Sequence, residues 1–75
     1  MKGLKPGDVV TLENGETATI AAIGRDGITA WGTRQGEFRG VKYQESWNTS
    51  HGWDGLGRRT HDIVEINGEP IEREP

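Results

Sequence analysis

The chain contains no cysteine, which excludes both disulfide bracing and thiolate zinc as supports for a small fold. It also lacks any apolar run near the ~20 residues that a membrane helix needs. Its opening MKGLKPGD has no apolar core of the kind a secretory leader carries, so the expectation is a soluble, cytoplasmic protein with no membrane partner. Helical periodicity is missing too: no window places apolar residues at i, i+3, i+4 and i+7 without a glycine interrupting. Apolar residues make up only 31% of the chain and glycines number 12, so the hydrophobic groups must come in short segments separated by turns. A net charge of −3 argues against a general nucleic-acid binder, which works by neutralising several phosphates.

At 75 residues there is room for one domain, spanning 1–75, and a core of this size buries only about 60% of the unfolded chain's surface. With disulfides and thiolate zinc excluded, stability must come from packing three Trp, one Phe and one Tyr or from burial against a second copy. A homo-oligomer is expected, with a dimer favoured.

The strands follow from alternation and turn residues. Lys5-Pro6-Gly7-Asp8 is a turn before Val9–Glu13, and Asn14-Gly15 predicts a two-residue type I′ hairpin into Glu16–Ile23. In that second strand Ala18, Ile20 and Ala22 share a face, and the small alanines call for a large ring above them, with Trp31 the candidate. Gly24–Gly27 is a turn and Ile28–Gly32 the third strand; if Ile28 and Ala30, which share a face, point inward, Trp31 lies on the outer face. Thr33–Gly36 reads as a polar turn and Glu37–Tyr43 as the fourth strand, with Gly40 marking a bulge. His61–Ile66 is the fifth, closed by Asn67-Gly68, and the acidic stretch 69–75 reads as a frayed tail or an edge blunted against pairing. The expected fold is all-β, an SH3-like barrel or strongly bent antiparallel meander of about five strands.

Between the fourth and fifth strands lies Tyr43–Asp62, YQESWNTSHGWDGLGRRTHD, read as one long Gly/Trp-rich loop. Charge is concentrated around it: 25–61 holds six basic against four acidic residues, while the remainder holds three against eight. Ser46 or Ser50 with His51 or His61 and Asp54 or Asp62 supplies the residue types of a hydrolase, but there is no nucleophile elbow. His51, Asp54 and His61 lack a metal-binding spacing. Gly52–Gly57 does not join a strand to a helix, so it is no dinucleotide fingerprint. No catalytic residue, metal or cofactor is therefore expected. Rings, arginines and backbone freedom remain. Gly52, Gly55 and Gly57 allow a nest of N–H groups around an anion, Arg58 and Arg59 fork onto phosphate oxygens, and stacked rings hold a base. The candidate ligand-binding set is Trp31, Arg34, Arg39, Tyr43, Trp47, His51, Trp53, Arg58 and Arg59. The competing reading of each tryptophan is completion of a core short of aliphatic residues.

The order GDVVTLENGETATIAAI, a G-x-x-A-W strand at Gly27–Trp31, an aromatic glycine-rich insertion and a closing HDIVEI resembles small β-proteins encoded by bacteriophages. Among these are anti-defence sponges of the anti-CBASS and anti-Thoeris kind. The resemblance implies a non-enzymatic protein of the bacterial host's cytoplasm that sequesters a cyclic nucleotide immune messenger, uncleaved, in a pocket built largely at a subunit interface. KPGDVVTL is also similar to the start of KOW modules of ribosomal and transcription proteins, which are typically more basic. The alternative function is an SH3-like module that binds nucleic acid or a host protein.

Overall fold

Turns built on Gly, Asn and Asp divide the chain into β1 (Val9–Leu12), β2 (Thr17–Ile23), β3 (Thr29–Phe38), β4 (Val41–Asn48), β5 (Ile63–Ile66) and β6 (Glu69–Pro70), with a 3-10 turn at Arg59–His61. These come from a computed structural model that describes residues 3–71; the end of the expected acidic tail, 72–75, lies outside the described residues. All six strands pair antiparallel in one sheet of order β4-β3-β2-β1-β5-β6. The fold class is therefore the expected one, all-β, with six strands in an open sheet and no closed barrel. The ends of β4 and β5 do not pair, because segment 49–62 fills the space between them. Asn48 N–H donates to the Trp53 carbonyl at 2.8 Å, and Ile63 N–H to the Gly52 carbonyl at 2.8 Å.

The turn types depart from expectation in an instructive way. At 12–16, Leu12 N–H donates to the Glu16 carbonyl and Gly15 N–H to the Leu12 carbonyl, and only Gly15 has positive φ, +91°. This is a three-residue loop with glycine in the left-handed position, not a type I′ pair. The two-residue turns with both φ positive are Arg39-Gly40 (53° and 79°) and Asn67-Gly68 (52° and 84°). Gly40 is thus a turn residue, and Thr33–Gly36 is not a turn: β3 runs on to Phe38, with its register against β4 shifting between Thr33 and Glu37.

One face of the sheet carries the core, made of Leu4, Val10, Leu12, Ala18, Ile20, Ala30, Trp47 and Ile63. The ring that covers the small residues of β2 and β3 is Trp47. It is the largest fully buried side chain, and a Cβ added at Gly32 would stand 2.9 Å from its Cζ3 and 2.6 Å from the Thr19 carbonyl oxygen. Trp31 instead lies on the outer face, as the inward Ala30 requires, whereas Ile28, expected to share the face of Ala30, precedes β3 beside the turn at Gly27 and is exposed. The pairing shifts between Ile20 and Ala22, so Ala22 pairs with Trp31 and Ile23 with Ala30. One extra residue reverses the alternation, which puts Ala22 outside and turns Ile23 toward the core, contrary to the expected Ala18-Ile20-Ala22 face.

Gly32→Ala is expected to destabilise the domain by about 1–3 kcal/mol by overpacking. Arg39→Asn is expected to raise stability, by up to ~1 kcal/mol, because Asn adopts the left-handed conformation more readily than Arg. Urea denaturation midpoints check both, and they should move in opposite directions.

Candidate functional site: an aromatic cleft on the outer face

Tyr43, Glu45 and Trp47 alternate inward along β4, while Ser46 and Asn48 face outward. On the outer face Trp31 is cross-strand from Ser46 and Thr29 from Asn48. Beyond β4 the chain returns as an isolated bridge between Trp47 and Asp54, which sets Trp53 on the far side of β4 from Trp31. The two indoles, each 52% exposed, flank an open cleft of ≈ 420 Å³ whose lining includes Ile28, Thr29, Ser46 and Asn48. Two strand spacings separate its walls, roughly 10 Å, which is room for a planar ring system to lie against one indole with the other closing the far side. His51 stacks on Trp53 with centroids 4.3 Å apart and planes 18° apart, so the Trp53 wall is itself braced. Gly55 forms part of the floor, where any side chain would collide with Ser46 Oγ.

Two of the arginines expected to meet phosphate, Arg34 and Arg58, lie elsewhere, on the core face. Glu45 is buried there with its side chain 1% exposed. Arg58 donates to both its oxygens at 2.7 Å, and Arg34 reaches it at 3.5 Å while also pairing with Glu16 at 3.2 Å. Asp54 lies beside this network, with Arg58 Nε at 3.5 Å. Burying a carboxylate is costly unless cations and donors surround it, so both guanidinium groups are engaged within the protein. Tyr43 covers Arg34 at 5.0 Å from the ring centroid.

The glycine nest is also occupied from within. Gly52 and Gly57 have positive φ, but the N–H groups of Gly52, Gly55 and Gly57 donate to the carbonyls of Asn48, Ser46 and Asp54. Asp54 Oδ2 accepts from Leu56 N–H at 3.1 Å and Arg58 N–H at 3.0 Å. The anion in this turn is the protein's own carboxylate.

The expected ligand-binding set therefore divides. Trp31 and Trp53 flank the outer cleft, with His51 stacked on Trp53. Trp47 is core, its Nε1–H donating to the His61 carbonyl at 2.7 Å. Arg34, Arg58 and Tyr43 belong to the inner network, Arg39 stacks on Phe38 at the β3–β4 turn, and Arg59 is exposed in the 3-10 turn. The region 43–62 is not one loop, since β4 takes its first six residues. Glu45 at an inward position breaks the apolar alternation that would have marked that strand. Glu45, Asp54, Ile28, Ser46 and Asn48 were not singled out from the sequence as ligand-site residues. The outward set could have been found by pairing Trp31 with the period-two pattern of 43–48.

Ligand atoms of Glu45, Asp54 and His61 lie within 4.8 Å of one another, a spacing a cation could bridge, and Arg58 already supplies positive charge at that place. The set differs from the His51, Asp54 and His61 weighed from the sequence: His51 is stacked on Trp53 and Glu45 stands in the cluster. His61 Nδ1 is 3.4 Å from Glu45, yet its pKa is lowered, first by burial and then by the charges of Arg34 and Arg58. The two guanidiniums that engage Glu45 thus also disfavour the charged form of the imidazole beside it.

Compared with protein-family models, curated proteins and solved structures, the chain matches none. Among the described residues no helix is long and apolar enough to cross a membrane.

Because the folded-state pKa of His61 lies below the ordinary 6.5, the unfolded chain binds the extra proton first. Stability from this group is present above about pH 6.5 and is lost as pH falls toward and through the folded value. Denaturation midpoints should fall between about pH 7 and pH 5, and His61→Gln should flatten that part of the profile. Arg58→Ala, which leaves Arg34 as the one cationic partner of Glu45 among the described residues, should cost about 3 kcal/mol at neutral pH.

Proposed function

We propose that the protein is a non-enzymatic binding domain that stacks a nucleobase-bearing ligand between Trp31 and Trp53, with cyclic nucleotides, and cyclic dinucleotides foremost, the class it sequesters. The observation that carries this reading is the pair of half-exposed indoles flanking one open cleft. In a chain with a core this small, two tryptophans kept out of it call for a reason other than core packing. A stacked base contributes ~1–3 kcal/mol, and the cleft's hydroxyl and amide groups, from Thr29, Ser46 and Asn48, suit the polar edges of a base. Sequestration needs no chemistry, which fits a site walled by rings and hydroxyl and amide groups, with Asp54, among the described residues, the one charged residue of the lining. The resemblance to phage anti-defence sponges supports the same reading.

One observation favours a second reading. Among the described residues no cationic side chain lines the cleft, and Arg34 and Arg58 are engaged with Glu45, so a neutral guest fits as well as a phosphate-bearing one. That guest would be an extended peptide of a host protein docked on an aromatic-lined groove.

Titration of tryptophan emission separates the two. On the nucleotide reading, cyclic dinucleotides quench emission and are recovered chemically intact after denaturation. Trp31→Ala and Trp53→Ala each weaken binding by about 5- to 150-fold, the equivalent of one lost stack, with unfolding midpoints little changed. Quenching by proline-rich peptide but by no nucleotide favours the second reading, and altered ligand after recovery contradicts sequestration.

A further inference from the structure

The large exposed hydrophobic side chains fall into two groups, with Val9 standing apart. Ile28, Trp31 and Trp53 belong to the cleft. Phe38, Val41, Tyr43 and Leu56 do not, at 61%, 68%, 40% and 77% exposure. Phe38 and Val41 face each other across the two-residue turn, and Tyr43 follows Val41 on the same side of β4. They make an apolar strip on the part of the β3–β4 hairpin that reaches past the core.

This strip borders the only long open edge of the sheet among the described residues. At the opposite edge β6 is two residues long and ends in Pro70, which blunts pairing. β4 is the other edge strand. Its second half is covered, because Ser46 accepts from Gly55 N–H and Asn48 donates to Trp53. Its first half, 41–45, carries no proline and a single lysine, Lys42, which pairs with Glu37 within its own hairpin at 3.8 Å.

We propose that residues 41–45 of β4 pair antiparallel with the same residues of a second copy, about a two-fold axis through Tyr43. Directly opposed residues share a face in an antiparallel pair, so an axis perpendicular to the sheet must centre on a residue. Tyr43 is the centre that suits this edge. It sets Tyr43 against its own counterpart, Lys42 against the partner's Gln44 and Val41 against the partner's Glu45. Centring on Lys42 would oppose two like charges, which is destabilising.

The same operation explains why the open edge stops where it does. Each hairpin tip, Arg39-Gly40, runs past the partner's Glu45 to the place where the chain at 54–56 lies along β4. Each tip then closes over the partner's Leu56, the most exposed of the large hydrophobics. One symmetric contact thus covers all four residues outside the cleft, satisfies the open backbone edge and leaves Trp31 and Trp53 free on the outer face. A second copy fits better than an unrelated strand because both the pairing and the tip contact are self-complementary.

Sedimentation of the full chain is expected to show a particle of twice the 8.3 kDa chain mass. Tyr43→Lys, which opposes two like charges on the axis, should return it to the single-chain mass, and Leu56→Lys should shift it the same way without touching the sheet. Circular dichroism confirms that each variant is folded. Because the chain has no cysteine, a single introduced thiol reports the register. Tyr43→Cys should link to itself on mild oxidation, since opposed Cα atoms at about 4.5–5.5 Å fall within disulfide range, while Val9→Cys on β1 should not. A single-chain mass for the unmodified protein overturns the proposal and leaves the edge to a strand of another protein. So does Tyr43→Cys that links no faster than Val9→Cys.

Discussion

The buried indole of Trp47 holds the rest of the structure in place. No disulfide or thiolate metal braces the chain, and among the described residues the buried core consists of eight side chains, two of them alanines. One large ring lying on Gly32 fills the space that those small residues leave. Its Nε1–H bond to the His61 carbonyl ties the far end of segment 49–62 to the sheet. Asn48 and Ile63 add backbone bonds to that segment at Trp53 and Gly52. The position of Trp53, and with it the outer cleft, follows from a packing contact on the opposite face.

Beside that ring is a polar network that engages Arg34 and Arg58. Glu45 requires Arg58 and Arg34, Arg34 also holds Glu16, and Asp54 fills the nest that its own turn creates. Asp54 Oδ1 and Arg34 Nε are buried with no hydrogen-bond partner in the described structure, and such groups cost about 1–3 kcal/mol each. A network of this kind is poor in net stability, and its geometry fixes how 54–58 is oriented against β4. Near Trp47, Glu45 and its two arginines lie on the core face, while Trp31 and Trp53 flank the cleft on the outer one.

Much of the scaffold was legible in the sequence. Asn67-Gly68 and the glycine-rich turns marked strand ends, the strands of 9–32 were found in order, and the inward Ala30 put Trp31 outside. What escaped has a common cause: charged residues at inward positions. Arg34 in β3 made 33–36 look like a turn, and Glu45 in β4 hid the alternation of Tyr43, Glu45 and Trp47. Each side chain is buried only because the other is there, a pairing that one-dimensional periodicity does not reveal. The shift around Ala21 is of another sort, since nothing in a run of alanines says which one the partner strand will skip. The arginine and glycine content around 52–59 suggested a nest for a ligand's phosphate; that Asp54 takes the Leu56 and Arg58 N–H groups there follows from hydrogen bonds that only the folded chain shows.

The account assigns the three tryptophans to two environments, one in the core and two at the cleft, and their indole N–H groups report this directly. Hydrogen exchange followed by NMR on the unliganded protein should find the Trp47 indole protected to the level of global unfolding, because it is buried and bonded to His61, while those of Trp31 and Trp53 exchange rapidly. Three indoles exchanging at similar rates, or protection of Trp31 or Trp53 above Trp47, would contradict it.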